Sequence, residues 1–213
     1  MVGKRQLVIG MLWGTVGIVL QAMLGAGLVF GQIQGSFEVI GSVPKKHSLE
    51  VVVVEEFLNF TCPHCNNFRN SAKSVFEKYG SRIQRKNQPI LFRGQPDHPL
   101  RLYFIAQRAG RAAEIKEMIF DASFKYGVNI YDPKVVGYLA RSAGLFKEFQ
   151  KDGQADWVTA KILESHKLAD RYGIEATPTL VLNGTLRLVP RTGMQEFINN
   201  FDTLVQQMLK PAS

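Results

Sequence analysis

One short stretch, from Val51 to Cys65, does most to constrain the fold. Val51-Val52-Val53-Val54 is a continuous β-branched run, the pattern of a strand covered on both faces of a sheet. Cys62 and Cys65, with two residues between them, follow; they are the only two cysteines in 213 residues. Phe68, Ala72, Val75 and Phe76 then recur at helical spacing, so a helix is predicted over 66–79, with Gly80 placed to stop it. The chain therefore carries a CxxC pair at a strand-to-helix junction.

That position has chemical consequences. The first turn of a helix has unpaired N–H groups and a partial positive charge, which favour a sulfur in its nucleophilic thiolate form. Pro63 suits the first turn because its missing N–H is not needed there. His64 brings an imidazole beside Cys62 that can donate a hydrogen bond or carry charge, lowering the thiol pKa further. Three other readings of the pair stand beside this one. A zinc site would need two more ligands from His47, His64, His98, His166 and carboxylates, and the chain has no paired histidines at ligand spacing. A metal ion or cluster shared between two protomers, and two buried structural cysteines, are the others.

The segment Glu56-Phe57-Leu58-Asn59-Phe60-Thr61-Cys62-Pro63-His64-Cys65 resembles the active-site segment of the DsbA-type thiol:disulfide oxidoreductases, a branch of the thioredoxin superfamily. Downstream, Tyr172-Gly173-Ile174-Glu175-Ala176-Thr177-Pro178-Thr179 resembles the segment that carries that family's cis-proline. The resemblance runs from about 51 to 209. It implies a thioredoxin fold with an inserted helical subdomain and a redox-active Cys62–Cys65 pair in which Cys62 forms the mixed disulfide and Cys65 resolves it. It also implies substrate binding at Thr177 and cis-Pro178, with no metal and no organic cofactor. Glu56 stands at the spacing where the superfamily carries a buried acid. A carboxyl in an apolar strand should have a raised pKa and move the proton on and off Cys65. Threonine before the proline departs from DsbA, which has valine there, and leans toward the isomerases.

Residues 7–31 contain no charge, and Thr15 and Gln21 are their only polar side chains apart from backbone. At about 1.5 Å per residue such a helix crosses a hydrocarbon core of about 30 Å. The expectation is a cytoplasmic n-region over 1–6 and a signal anchor over 7–31, with a cleaved signal peptide as the alternative because Gly25, Ala26, Gly27 and Gly31 are small. With Lys4 and Arg5 held inside, the catalytic domain lies outside the cytoplasm, periplasmic or otherwise extracytoplasmic. An oxidising compartment suits a redox pair. Residues 32–49 read as a linker with one short strand around 37–40, leaving 50–213 as the thioredoxin-like domain.

Within that domain, 83–92 reads as a second strand parallel to the first. The pattern is helical from about 98 to 160, the expected insertion. A further helix runs over 157–171, then a hairpin forms around Asn183-Gly184 and a last helix covers 194–209. The net charge of +8 sets 26 basic against 18 acidic residues. Arg101, Arg108 and Arg111 could share a helix face suited to an anionic membrane surface or acidic substrates, against the simpler reading of a solvated face. No basic-aromatic interleaving points to nucleic acid. The sequence thus predicts a membrane-anchored, extracytoplasmic α/β oxidoreductase. The resemblance implies that its substrates are thiols of exported proteins and that its reoxidant is a quinone-linked membrane protein of the DsbB or vitamin K epoxide reductase type. Disulfide isomerase or reductase is the near alternative and a non-catalytic metal-handling module the remote one.

Overall fold

The structure is a computed structural model that describes residues 33–211. The expected n-region, the anchor over 7–31 and residue 32 lie outside these residues. Among the described residues no helix is long and apolar enough to cross a membrane.

The β-branched run forms β2 (Val52–Leu58), an inner strand of the five-stranded sheet seen among the described residues. On one side it pairs in parallel with β3 (Ile83–Pro89), which ends three residues before the expected boundary at 92. On the other side it pairs antiparallel with β4 (Thr179–Leu182), and β4 continues to β5 (Leu186–Leu188). The hairpin between them turns on Asn183 and Gly184, both at positive φ (49° and 68°), with Thr185 N–H bonded to Leu182 C=O at 2.9 Å. This is the backbone that Asn-Gly favours. Asn183 also pairs with the start of β2, its Oδ1 accepting from Val53 N–H at 2.6 Å.

The helix after the cysteines is bent. α1 (Pro63–Ser71) and α2 (Lys73–Tyr79) meet at Ala72 instead of running as one helix over 66–79. Ala72 is fully buried and small, and the bend lets Phe68 and Phe76 both reach Phe201, with centroids 6.5 and 5.6 Å apart. Phe201 lies on the last helix, named α8 below.

The inserted helices are α3 (His98–Arg108), α4 (Ala112–Phe124), α5 (Pro133–Ser142) and α6 (Phe146–Asp152), which begin where the 98–160 pattern begins and end before it, since 156–160 already belong to the next helix. Asp132 caps α5, accepting from Lys134 N–H at 2.8 Å, and Pro133 occupies its first turn. α7 (Asp156–Arg171) returns to the sheet, and α8 (Met194–Met208) closes the fold. The three arginines do not form one exposed face. Arg101 bonds Asp97 and the Gly153 carbonyl, Arg108 stacks over Trp157, and Arg111 bonds Glu114 and the Ala143 carbonyl. Arg101 and Arg111 tie helices of the insertion together, and Arg108 ties the insertion to α7.

The core has three parts. One sheet face, with Val52, Val54, Leu180 and Leu182, packs on α1, α2 and α8. Phe57 and Val181 pack on the opposite face with Ala169 of α7. The third part fills the insertion and reaches up to Leu58, Phe60 and Cys65.

Over residues 33–49 the structure keeps the short strand expected around 37–40 and corrects the linker reading around it. This segment is not a loose linker but part of the fold. Ile33 is buried in the core, and β1 (Glu38–Val39) joins the sheet as an edge strand against β5. The side-chain amides of Asn200 and Gln207 on α8 each bond a main-chain N–H and a C=O of this segment, at Ser36 and Gln34 respectively. Two amides thus act as a substitute strand, and no hydrophobic periodicity in 33–49 announces it.

Candidate active site

Cys62 occupies the N-cap of α1, with extended dihedrals (φ −81°, ψ 117°) and Pro63 next in the first turn. An N-cap side chain accepts from the N–H groups two and three residues on. Here those belong to His64 and Cys65; the Cys62 side chain makes no cap hydrogen bond of ordinary geometry, but both N–H groups lie near enough to the sulfur to lower its pKa. The thiol is half-buried, and its pKa is lowered to about 5. The Cys65 thiol donating to it lowers it most. Burial opposes the shift, and the Thr177 side chain and the two main-chain N–H groups add to it. His64 therefore acts through its main chain; its side chain is exposed and is not among the groups that hold the sulfur. As a thiol, Cys62 donates to the Thr177 carbonyl at 3.1 Å.

Cys65 lies one turn inside the helix and is fully buried against Leu58, Phe60 and Tyr103. Burial drives its pKa far upward, and the neighbouring Cys62 adds to that. The Thr177 side chain and the Asn59 N–H pull the other way. Both cysteines are free thiols in the structure. The pair thus sets an accessible thiolate beside a sheltered thiol, the arrangement needed to attack a disulfide and then to close one internally.

The Thr177–Pro178 peptide bond is cis and both residues are buried. The Thr177 carbonyl is the one that accepts from Cys62. The buried Oγ1 of the same residue has no hydrogen-bond partner among the described residues and lies near enough to the two sulfurs to favour their charged forms.

Glu56 is as buried as expected but its chemistry differs. Its carboxylate receives the Arg85 guanidinium at 2.8 and 2.5 Å and the Lys116 ammonium at 3.0 Å, and Lys116 also donates to Asn87 at 2.7 Å. Burial alone would raise the pKa, but the two cations outweigh it and hold the carboxyl below the usual range. Burial pushes Lys116 down to about 8, against the pull of Glu56, so the ammonium remains charged at neutral pH. The raised pKa and the proton relay to Cys65 are therefore corrected: Glu56 is a fixed anion, and it is not among the groups that shift Cys65. The strand sequence alone reads as an apolar setting; the second cation arrives from α4.

A set of polar residues around Asn59 escaped the sequence reading. Asn59 is buried at the end of β2, and its amide joins Thr61, Ile90 and Gln95. Tyr131, from the α4–α5 loop, reaches Thr61 at 3.0 Å. The available signal was a lone asparagine between two apolar residues just before the cysteines.

The family model described as thioredoxin matches residues 50–200. The chain belongs to this thioredoxin family. DsbA of Burkholderia cepacia, a thiol:disulfide interchange protein, is 27% identical over 179 residues, covering 79% of this chain and 84% of the relative. DsbA of Pseudomonas syringae is 26% identical, covering 80% and 84%. Among solved structures, Xylella fastidiosa DsbA superposes with TM-score 0.65 at 23% identity, over 73% of this chain and 85% of the other. Pseudomonas aeruginosa DsbA gives 0.66 at 21%, over 81% and 91%. These structures establish the thioredoxin fold with inserted helices, and together with the family match and the relatives they make the chain a DsbA-type thiol:disulfide oxidoreductase of the thioredoxin superfamily.

Proposed function

We propose that the protein oxidises thiols of exported proteins, with Cys62 as the exchanging sulfur and Cys65 as its partner. The observation that carries the reading is the contrast between the two sulfurs: an accessible thiolate with a pKa of about 5 beside a buried thiol whose pKa is raised. In the oxidised enzyme a substrate thiolate attacks the Cys62 sulfur. The Cys62–Cys65 bond breaks, and Cys65 leaves with the electron pair and takes a proton from water. A second substrate thiolate then attacks the substrate sulfur of the mixed disulfide and expels Cys62. Its low pKa makes Cys62 a good leaving group. The substrate gains one disulfide and the enzyme is left as the dithiol.

Stabilising the Cys62 thiolate stabilises that dithiol, which raises the reduction potential. A pKa two units below pH 7 corresponds to at most about 60 mV for a two-electron couple, less once solvent screening of the half-exposed sulfur is allowed for. Thr177 and Pro178 form the surface on which the substrate chain lies, and Pro63, with the His64 main chain, sets the thiolate. The dithiol must be returned to the disulfide by an oxidant, in this reading a quinone-linked membrane protein of the DsbB or vitamin K epoxide reductase type. The uncharged run 7–31 supports a membrane anchor with the active site on the extracytoplasmic side.

The test has two parts. The reduction potential of the Cys62–Cys65 pair should lie well above that of thioredoxin, and Cys65→Ser should trap reductant-sensitive complexes with exported proteins while Cys62→Ser does not. A potential as low as thioredoxin's would move the reading to a reductase or isomerase, and trapping by Cys62→Ser would reverse the two roles.

A further inference from the structure

We propose that Asn59 is a positioning residue for Cys65. Its side-chain amide holds the 59–62 turn in the arrangement that aims its own main-chain N–H at the Cys65 sulfur, speeding the steps in which that sulfur carries charge. This rests on the thiol:disulfide exchange reading above.

The main chain of Asn59 touches both cysteines. Its N–H points at Cys65 Sγ at 3.5 Å, and its carbonyl accepts from Cys62 N–H at 3.1 Å. A rotation of this peptide would disturb both contacts at once. The side chain prevents it. Nδ2 donates to the Ile90 carbonyl at 2.9 Å and to Gln95 Oε1 at 2.7 Å. Oδ1 accepts from Thr61 N–H at 3.0 Å and Thr61 Oγ1 at 2.8 Å. Two donors and two acceptors exhaust the capacity of an asparagine amide, and every one is used. In a residue only 1% exposed, each lost partner would leave a buried polar group unpaired.

The proton directions are fixed by the same count. Because the Thr61 hydroxyl has one proton and gives it to Asn59, it must accept from Gln95 Nε2 (3.3 Å) and from the Tyr131 hydroxyl (3.0 Å). Gln95 Oε1 also accepts from Phe92 N–H at 2.8 Å. The amide is therefore gripped from two places, Thr61 next to Cys62 and the segment after β3, and the loop between α4 and α5 supports it through Thr61. No shorter or purely accepting side chain reproduces these four bonds.

Cys65 needs such help because it is the sulfur with no solvent contact. It becomes a thiolate either as the leaving group when substrate attacks Cys62 or as the nucleophile when it displaces a partner from Cys62. A main-chain N–H already in place costs no reorganisation when the charge appears.

The experiment separates the two sulfurs. The reduced full chain is mixed with oxidised glutathione, quenched with acid at intervals, and resolved by mass spectrometry into dithiol, mixed disulfide and internal disulfide. In the first step the Cys62 thiolate attacks glutathione disulfide and releases one glutathione thiolate. In the second, Cys65 gives its proton to water, attacks Cys62 Sγ and expels the second. Asn59→Ala should lower the ratio of the second rate constant to the first about tenfold, the effect expected for one hydrogen bond to a charged sulfur. It should also move the rise of the second step to higher pH. Gln95→Ala and Thr61→Val, which remove partners of the amide from outside β2, should lower the ratio by about threefold each; if Asn59→Ala does not fold, they decide by the same ratio. A ratio within twofold of wild type in the folded variants, whether or not both steps slow together, overturns the assignment and leaves Asn59 a packing residue. A wild-type chain that forms no mixed disulfide sinks the exchange reading and this one with it.

Discussion

At the scale of a residue, the site is a cysteine at a helix N-cap position, its sulfur close to the first N–H groups of the helix without a formed cap hydrogen bond. An N-cap serine or aspartate accepts from the second and third N–H groups of its helix, and Cys62 stands in that place with Pro63 filling the position that needs no donor. A thiolate accepts more strongly than a thiol, so the cap and the chemistry favour the same charge state. Titration of the reduced protein by ultraviolet thiolate absorbance should give a midpoint of about 5 for Cys62, and Cys65 should not ionise alongside it. The sign of the pH dependence follows. The folded pKa is depressed from an unfolded value of about 8.5, so this group's contribution to the stability of the reduced protein is complete above about 8.5 and is lost as pH falls through about 5. Cys65, with its pKa raised, acts in the opposite sense only above about 8.5, so the window between pH 5 and 8 reports Cys62. Urea unfolding of reduced and oxidised protein across that window should show the reduced form losing its advantage toward the acid end. A difference that stays flat would mean that Cys62 has no depressed pKa.

At the scale of elements, the N-terminal segment is held by close approach as much as by hydrogen bonds. A side chain at Gly35 would place its Cβ 2.8 Å from Asn200 Oδ1 and 2.9 Å from Leu204 Cδ2. Gly35→Val should therefore push the segment off α8 and lower stability by about 1–3 kcal/mol, read as a fall in the urea midpoint. An unchanged midpoint would mean that residues 33–39 add nothing to the fold. Past this segment, Arg187 of β5 bonds Glu38 of β1 and the carbonyl of Tyr172 at 2.6 Å, joining the edge strand to the end of α7 just before the cis-proline loop. What was legible in the sequence was local: the CxxC pair after β2, the Asn-Gly turn, Asp132-Pro133 at the start of α5, and the threonine-proline step. Each depends on neighbours within a few residues. The partners that escaped are remote along the chain. Gln34 meets Gln207 173 residues on, Asn59 meets Gln95, and Glu56 meets Lys116 60 residues on. Periodicity reports which face of an element is buried, but not which polar groups meet there. The bend at Ala72 was hidden for a related reason, since it serves contacts with α8.

At the scale of the whole molecule, the sheet and the helical insertion are joined by a buried set of charges. Glu56 comes from β2, Arg85 from β3 and Lys116 from α4, with the Glu56 side chain fully buried and that of Lys116 only 3% exposed. One carboxylate serves two cations, so the set is net positive, and the carboxylate is what makes burying the ammonium tolerable. Removing one member of such a set costs more than removing a matched pair, because an uncompensated charge stays behind. Glu56→Gln should lower stability by about 3 kcal/mol, while Glu56→Gln with Lys116→Met should recover much of the loss. The pH dependence supplies a second reading. The Glu56 pKa is lowered in the fold relative to about 4.3 when unfolded. Its contribution is therefore present above about 4.3 and disappears as pH falls through the depressed folded value. Urea midpoints of the wild type should drop steeply below about pH 4.3, and in Glu56→Gln this acid limb should be shallower. If the single variant were as acid-sensitive as wild type, or the double variant no more stable than the single, the charges would not be what joins insertion to sheet, and packing of Phe60 against Phe120 and Tyr103 would carry that junction instead.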